Sequence, residues 1–184
     1  MKQYARLALL ALFAAVPALS AAVTPAEEIE KSVFGSVGKE KGIDPVLLYS
    51  VALLESSRPV PGRKHFAAPS RFTINSGGVA YYLPTRDEAL AKLDELAKTT
   101  RNFDIGLMQI NYRWHGEKVK SYKDLLDSET NLRIGADILG KALGSHKNRC
   151  IAIGRYHSWN NDVAAYQYGC RVLAIYNKII RMSR

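Results

Sequence analysis

The chain has 184 residues, of which 47% are hydrophobic and 23% are charged, and this composition is typical of one folded globular domain. It contains no internal repeat or low-complexity tract, which excludes repeat and disordered architectures. The formal net charge of +9 favours anionic partners, among them nucleic acids, anionic lipids and acidic polymers.

The first 22 residues are typical of a secretory signal peptide. Lys2 and Arg6 precede an apolar run over residues 7–19, and small residues follow at positions 20–22. The run is shorter than the roughly 20 residues that a membrane span needs, so a membrane anchor is the less favoured alternative. We therefore expect export to the periplasm or secretion, a mature domain over residues 23–184 without a membrane span, and no nucleic-acid partner.

Capping residues predict the two helices of the first third. A Thr-Pro pair at residues 24–25 is typical of a helix start, and this helix is expected to run to about residue 41 and end at Gly42. An Asp-Pro pair at residues 44–45 starts a second helix, whose apolar side chains predict that it is largely buried. Glu55 lies at the end of this second helix.

A hairpin and four helices are predicted for the rest of the chain. Residues 71–74 and 79–83 flank the turn sequence Asn-Ser-Gly-Gly, which indicates a β-hairpin. A capping box at residues 85–88 starts a helix. Three more helices are expected at about residues 128–143, 148–158 and 162–181, the first of them ending at Gly144. The expected fold class is therefore mainly α (α+β), a helical domain with a small inserted β-hairpin.

Glu55 is the first candidate for chemistry, because it directly follows a run of apolar residues. Such a carboxylate has to face a cleft, since burying an unpaired charge is costly. Partial burial raises a carboxyl pKa and keeps the group protonated near neutral pH, which suits a general acid. The alternative is a solvated Glu at a helix end, as most carboxylates are exposed.

The segment at residues 104–111, Asp-Ile-Gly-Leu-Met-Gln-Ile-Asn, mixes apolar residues with hydrogen-bonding ones. Gly106 allows the backbone to approach another element or a ligand closely. Gln109 and Asn111 can each donate and accept hydrogen bonds, which suits the hydroxyl and amide groups of a ligand. A buried strand or turn with satisfied amides is the alternative.

Four ordered motifs resemble those of the lytic transglycosylases related to goose-type lysozyme. They are Glu55-Ser56, Gly-Leu-Met-Gln-Ile at residues 106–110, the helix at 131–139 with its Asn, Gly and hydrophobic end, and Ala-Ile-Gly-Arg-Tyr-His-Ser at 152–158. The resemblance covers roughly residues 43–160, without the middle. The pattern favours the small transglycosylases of conjugation, type IV secretion and pilus machines, many of which have Tyr-His in the last motif.

This resemblance implies a lysozyme-like fold and an enzyme that cleaves the β-1,4 bond between N-acetylmuramic acid and N-acetylglucosamine with formation of a 1,6-anhydro ring. It implies Glu55 as the acid/base, no cofactor, Gln109 orienting the sugar and Tyr156 holding Glu55. The expected substrate-binding residues are Ser56, Gln109, Asn111, Tyr156 and His157. The expected partners are peptidoglycan strands, whose peptide carboxylates suit a basic protein, and components of a secretion or conjugation machine that needs local opening of the wall.

The sequence departs from the pattern of these transglycosylases at several positions. Residues 58–103 separate Glu55 from the Gly106 motif by far more than the usual short loop, which indicates an inserted hairpin and helix. This insertion is expected either to line the glycan cleft or contact a partner, or to serve as scaffold. His157 replaces a usual Asn and Ile138 a usual Tyr, and both changes affect the expected sugar contacts.

A second resemblance offers a different reaction. Residues 104–114 are similar to the segment of animal c-type lysozymes that holds their second catalytic carboxylate, which here falls on Asp104. A hydrolytic muramidase using Glu55 and Asp104 is therefore one alternative. Asp104 can instead cap or brace the Gly106 turn. A non-enzymatic wall-binding assembly factor is a further alternative.

Cysteine and histidine spacing restricts the remaining chemistries. An even pair, Cys150 and Cys170, predicts a disulfide in an exported protein, with two buried free thiols as the alternative. The four histidines lack metal-ligand spacing, so no metal site is expected. Trp114 and Trp159 are suited either to stacking on sugar faces or to packing.

Overall fold

The computed structural model describes residues 23–60, 62 and 67–184. The predicted signal peptide at residues 1–22 lies outside these described residues. The helices are α1 (Pro25–Glu30), α2 (Val33–Lys41), α3 (Pro45–Ser56), α4 (Arg86–Leu96), α5 (Tyr112–His115), α6 (Ser128–Leu143), α7 (Arg149–Gly154) and α8 (Asp162–Met182). The strands are β1 (Ser57–Pro59), β2 (Ala67–Pro69), β3 (Thr73–Ser76), β4 (Val79–Tyr82), β5 (Phe103–Ile105) and β6 (Ile110–Asn111).

Side-chain caps start the helices where the sequence predicts them. Thr24 and Glu27 form a reciprocal capping box at the start of α1. The Asp44 carboxylate accepts two N–H groups of the first turn of α3, at 2.8 and 3.1 Å. Thr85 accepts the Glu88 N–H at 3.2 Å at the start of α4. The predicted helices at residues 128–143 and 162–181 are confirmed as α6 and α8.

Two predicted helices have different bounds in the structure. The single helix expected over residues 24–41 is two helices, because the Ser32 hydroxyl donates to the Ile29 carbonyl at 2.6 Å and accepts the Phe34 N–H at 3.1 Å. Ser32 thereby ends α1 and caps α2. The helix expected over residues 148–158 ends at Gly154, since the N–H groups of His157 and Ser158 share the Gly154 carbonyl.

The strands form a two-stranded sheet, β1-β2, and a four-stranded antiparallel sheet in the order β4-β3-β5-β6. The predicted hairpin is confirmed, but its turn is shorter than expected. Asn75 and Ser76 belong to β3, and Gly77 and Gly78 make the turn with φ angles of 59° and 82°. Two successive positive φ angles match the twist of flanking strands and favour glycine. The hairpin pairs with β5, where Asn75 faces Asp104 in register.

The core is one cluster that includes side chains of α3, α6, α8 and the four-stranded sheet, and Leu48, Ile105, Leu132 and Val172 are among its fully buried side chains. The domain is thus mainly helical with a small antiparallel sheet, as the sequence predicts. Among the described residues, none of the helices combines the length and apolarity that crossing a membrane requires.

A disulfide joins Cys150 in α7 to Cys170 in α8, which confirms the predicted pairing. The two helices approach so closely that a side chain at Gly169 would overlap the Cys150 carbonyl. The bond and the close packing fix α7 and the turn that follows it, which carries Tyr156 and His157, against the last helix.

Candidate active site

A cleft of about 540 Å³ runs between the end of α3, the sheet edge at β5 and β6, and the turn after α7. Side chains from seven separate parts of the chain line it. They are Glu55, Asn75, Asp104, Gln109, Ile110, Asn111, Trp114, His115, Ile138, Tyr156 and His157. The structure therefore brings together all but one of the site residues predicted from the sequence.

Glu55 lies in this cleft on the last turn of α3, and its side chain is only 15% exposed. The pKa of its carboxyl group is raised to about 7, mainly by burial and in part by the nearby Asp104. A hydrogen bond from Tyr168 and the positive charge of Arg171 oppose this rise. About half of the Glu55 carboxyl groups are therefore protonated near pH 7, and this protonated form can act as a general acid.

Tyr168 holds the Glu55 carboxyl group, a role that the sequence assigned to Tyr156. The Tyr168 hydroxyl donates to Glu55 Oε1 at 2.5 Å from the middle of α8. The hydroxyl of Tyr156 donates instead to the Met108 carbonyl at 2.6 Å. Tyr156 therefore connects the turn after α7 to the Gly106 segment, and it also lines the cleft.

His157 packs against Tyr168. Its ring stacks on the Tyr168 ring with the centroids 4.8 Å apart, and its Nδ1 lies 4.0 Å from Glu55 Oε1. The imidazole is largely exposed to the cleft, so it can reach a ligand bound next to Glu55. This contact depends on α8, which sequence reasoning had not connected with the site.

Asp104 is the second carboxylate of the cleft. It lies in β5, where its Oδ1 accepts a hydrogen bond from Asn111 Nδ2 at 2.8 Å. Burial raises the pKa of Asp104, while this hydrogen bond lowers it. Asn111 also accepts the Trp114 N–H at 3.3 Å and thereby caps α5. Both residues are engaged within the protein and also exposed to a cleft ligand.

The Gly106 segment makes a tight turn between β5 and β6. Gly106 has φ 82°, and a Cβ there would lie 2.5 Å from Asn131 Nδ2. Gln109 also has a left-handed φ, of 45°, and its Nε2 donates to the carbonyls of Gly106 and Thr73 at 2.8 and 3.1 Å. The Gln109 amide nitrogen is therefore used by the fold, which leaves its Oε1 as the atom that can accept a bond from a ligand.

Ser56 does not line the cleft, although the sequence placed it among the substrate-binding residues. It is fully buried, and its hydroxyl lies 2.8 Å from the Leu107 carbonyl and 3.0 Å from the Ala52 carbonyl. It also accepts the Ser70 N–H at 3.2 Å. Ser56 therefore joins the end of α3, where Glu55 lies, to the Gly106 turn.

Some residues of the site were missed by sequence reasoning. Asn75 and His115 line the cleft, and Tyr168 bonds to Glu55 from 113 positions away. The one available signal was for Tyr168, whose position on the buried face of a predicted helix invites a hydroxyl partner. Within the described part of the chain, no group of His, Cys, Asp and Glu side chains is arranged to hold a metal ion.

Comparison with known proteins identifies the family. The profile of the Transglycosylase SLT domain matches residues 87–179, which include Asp104, Gln109, Tyr156 and Tyr168 but not Glu55. No curated protein and no solved structure matches the chain. The matched segment spans half of the chain and contains most of the cleft, and the chain therefore belongs to the Transglycosylase SLT domain family.

Proposed function

We propose that this protein is a peptidoglycan lytic transglycosylase with Glu55 as its single acid/base. The observation that carries the proposal is the position of Glu55, a carboxyl group with a pKa raised to about 7 in a cleft that is lined largely by polar side chains. The substrate is the β-1,4 bond between N-acetylmuramic acid and N-acetylglucosamine, and the family match supports this choice.

In the first step, neutral Glu55 donates its proton to the glycosidic oxygen as the bond to the anomeric carbon breaks. The substrate's own acetamido carbonyl stabilises the positive charge at that carbon, as in substrate-assisted glycosidases. The Tyr168 hydroxyl stabilises the carboxylate that remains on Glu55, because a hydrogen bond to the charged form favours it.

In the second step, the Glu55 carboxylate removes the proton from the C6 hydroxyl of the same muramic acid. The C6 oxygen attacks the anomeric carbon and closes the 1,6-anhydro ring, which returns the proton to Glu55. One carboxyl group suffices, because a tethered nucleophile has a large effective molarity. Gln109 Oε1, Asn111 and His157 line the path of the strand and orient the sugars, and no cofactor takes part.

The nature of the product tests this mechanism. Digestion of purified peptidoglycan should release fragments that end in 1,6-anhydro-N-acetylmuramic acid and lack a new reducing end, as measured by mass spectrometry.

Glu55→Gln should reduce the rate by about 10²–10⁴-fold, which is the usual contribution of a general acid. Glu88→Gln, an exposed carboxylate on α4, serves as the control and should keep the wild-type rate. Wild-type turnover by Glu55→Gln would contradict the proposal.

A hydrolytic muramidase is the second candidate, because Asp104 lines the same cleft as Glu55. In that reaction water attacks, the products are heavier by one water and have a reducing end, and Asp104 stabilises the positive charge. Asp104→Asn should then abolish activity, whereas in the cyclising reaction it should only loosen the bond to Asn111. Reducing-end products together with an inactive, folded Asp104→Asn protein would favour hydrolysis. A protein that binds the wall but releases no fragment would indicate an assembly factor.

The cellular setting belongs to the same proposal. A signal peptide over residues 1–22 would export the mature domain, residues 23–184, to the periplasm, where the substrate lies. The resemblance to transglycosylases of conjugation, secretion and pilus machines suggests that the enzyme opens the wall locally for such a machine. N-terminal sequencing of the periplasmic protein should find a start near residues 21–23, and an unprocessed cytoplasmic protein would contradict export.

A further inference from the structure

Positive charge is concentrated at the end of the cleft that is formed by Trp114 and His115. Trp114 is 68% exposed and lines the cleft, and the guanidinium of Arg113 lies 5.3 Å from the centre of its ring. Lys118 follows shortly after His115 in the chain, and the ammonium groups of Lys118 and of Lys141 on α6 both act on His115. We refer to Arg113, Lys118 and Lys141 as the basic corner.

The position of Lys141 follows from the helix that carries it. Ile138 lines the cleft, and Lys141 comes three residues later on α6, so the two side chains share a face. The pKa of His115 also indicates that Lys118 and Lys141 lie near this residue. Burial is the largest cause that lowers the pKa of His115, and the ammonium groups of Lys118 and Lys141 lower it further, against an opposite effect of Glu117.

The charges of the basic corner are poorly compensated within the protein. Among the described residues, Arg113 and Lys141 form no ion pair. Lys118 is 3.9 Å from Glu117, and both side chains are exposed, so that this pair contributes little. The corner therefore carries free positive charge beside an aromatic ring that faces the cleft.

The sugars of the strand give no reason for this charge, because in intact peptidoglycan they present neutral hydroxyl and acetamido groups and the lactyl carboxyl of muramic acid is amide-linked. In peptidoglycan, however, the lactyl group of muramic acid carries a peptide stem that contains free carboxylates. A stem attached to a sugar in the cleft is the anionic group held nearest to that end. Charge complementarity thus favours a peptide carboxylate over a neutral ligand.

We propose that the basic corner binds the carboxylates of a peptide stem on the glycan strand, while Trp114 packs against the sugar that bears it. This inference rests on the proposed function and adds a substrate preference to it. The enzyme should prefer intact peptidoglycan over peptidoglycan whose stem carboxylates have been converted to neutral amides.

The test compares these two substrates. For the wild-type protein, kcat/KM should be higher on intact peptidoglycan than on peptidoglycan whose stem carboxylates have been amidated. In Lys118→Gln/Lys141→Gln the ratio of the two values should fall by about three- to tenfold, through KM and not kcat, since each exposed charge pair contributes modestly. Arg113 is left unchanged because its guanidinium supports Trp114. Lys147→Gln/Arg149→Gln, which removes the same charge from a separate groove, should keep the wild-type ratio.

An equal loss on both substrates, or an equal change in the control variant, would overturn the inference, because either result would show a general effect of charge. Binding separates this outcome from failure of the proposed function. Glu55→Gln protein should sediment with intact sacculi more strongly than with sacculi whose stem carboxylates have been amidated, whether or not the wild type cleaves. The Lys118→Gln/Lys141→Gln changes should remove that difference, and a difference that persists would contradict the role of the corner.

Discussion

Burying a carboxyl group at the end of α3 destabilises the folded protein whenever that group is ionised. The pKa of Glu55 is about 7 in the folded chain, against an ordinary value of 4.5. The folded state therefore binds the proton more tightly than the unfolded state. This contribution to stability is fully present below pH 4.5 and is lost as the pH rises through about 7. The property that suits Glu55 to acid catalysis is thus also a source of instability.

One prediction follows from this dependence of stability on pH. Glu55→Gln keeps an oxygen that accepts from Tyr168 but has no charge to bury, so the variant should be more stable than the wild type above pH 7. The difference in the free energy of unfolding should grow by on the order of 3 kcal/mol between pH 4.5 and pH 8. Urea unfolding at both pH values measures it, with Glu88→Gln as control. A difference that does not change with pH would show that Glu55 is not a buried acid.

Tyr168 allows a second prediction at the same site. Its hydrogen bond favours the ionised form of Glu55, so removing the hydroxyl should raise the pKa of Glu55. In Tyr168→Phe the alkaline limb of the pH–rate profile should move to higher pH, and kcat should fall by roughly tenfold because the acid is less well positioned.

Tyr166→Phe is the matched control, since Tyr166 lies on the same helix and is 49% exposed. It should leave both the rate and the profile unchanged. If Tyr168→Phe lowered the rate equally at every pH without moving the limb, Tyr168 would have a packing role alone.

At the scale of elements, the Gly106 turn depends on a single side chain of α6. Asn131 is 1% exposed; its Nδ2 donates to the carbonyls of Ile105 and Leu125, and its Oδ1 accepts the Met108 N–H. Two of these bonds satisfy backbone groups of the tight turn that it cannot pair within itself, and the third satisfies the Leu125 carbonyl of the neighbouring segment. The helix therefore positions Gln109 and the β5 end of the cleft without contacting the substrate.

Asn131→Ala should leave these backbone groups buried and unpaired. We expect a loss of about 3 kcal/mol in the free energy of unfolding, since each unsatisfied group costs about 1–3 kcal/mol and the site relaxes in part. Chemical denaturation measures the loss, with Asn160→Ala as an exposed control. A change below about 0.5 kcal/mol, within the range of ordinary surface substitutions, would mean that the turn holds its own shape.

Local signals explain how far the sequence predicts these elements. Thr24, Asp44 and Thr85 cap helices through bonds to residues two or three positions away, and Gly77-Gly78 closes a turn on itself, so their patterns are visible in the chain. The break at Ser32 was missed because a serine within an amphipathic pattern is compatible with either a helix interior or a cap. In the structure, the Ser32 hydroxyl bonds to the Ile29 carbonyl and to the Phe34 N–H, and it therefore acts as a cap.

At the scale of the whole molecule, the site depends on packing that no local pattern specifies. Glu55 was predicted because its apolar neighbours and the family resemblance both indicate it. That Tyr168 and not Tyr156 bonds to Glu55, and that Ser56 is buried, depends on the relative orientation of α3, α7 and α8. Periodicity gives the buried face of each helix but not which residue of a neighbouring helix that face meets.

The last prediction concerns the bond that fixes this packing. The Cys150–Cys170 disulfide closes a loop with a sequence separation of 20. In the chain-entropy model such a loop stabilises the fold by roughly 3 kcal/mol. Cys150→Ser/Cys170→Ser should lower the free energy of unfolding by about that amount. At low temperature, where the variant is still folded, its activity should nevertheless be below that of the wild type, because α7 leads into Tyr156 and His157 while α8 carries Tyr168.

Thiol titration of the denatured, unreduced wild type should find no free cysteine, and a reductant should destabilise the wild type but not the double variant. Two reactive thiols in the wild type, or equal sensitivity of both proteins to the reductant, would show that the bond does not hold these helices together.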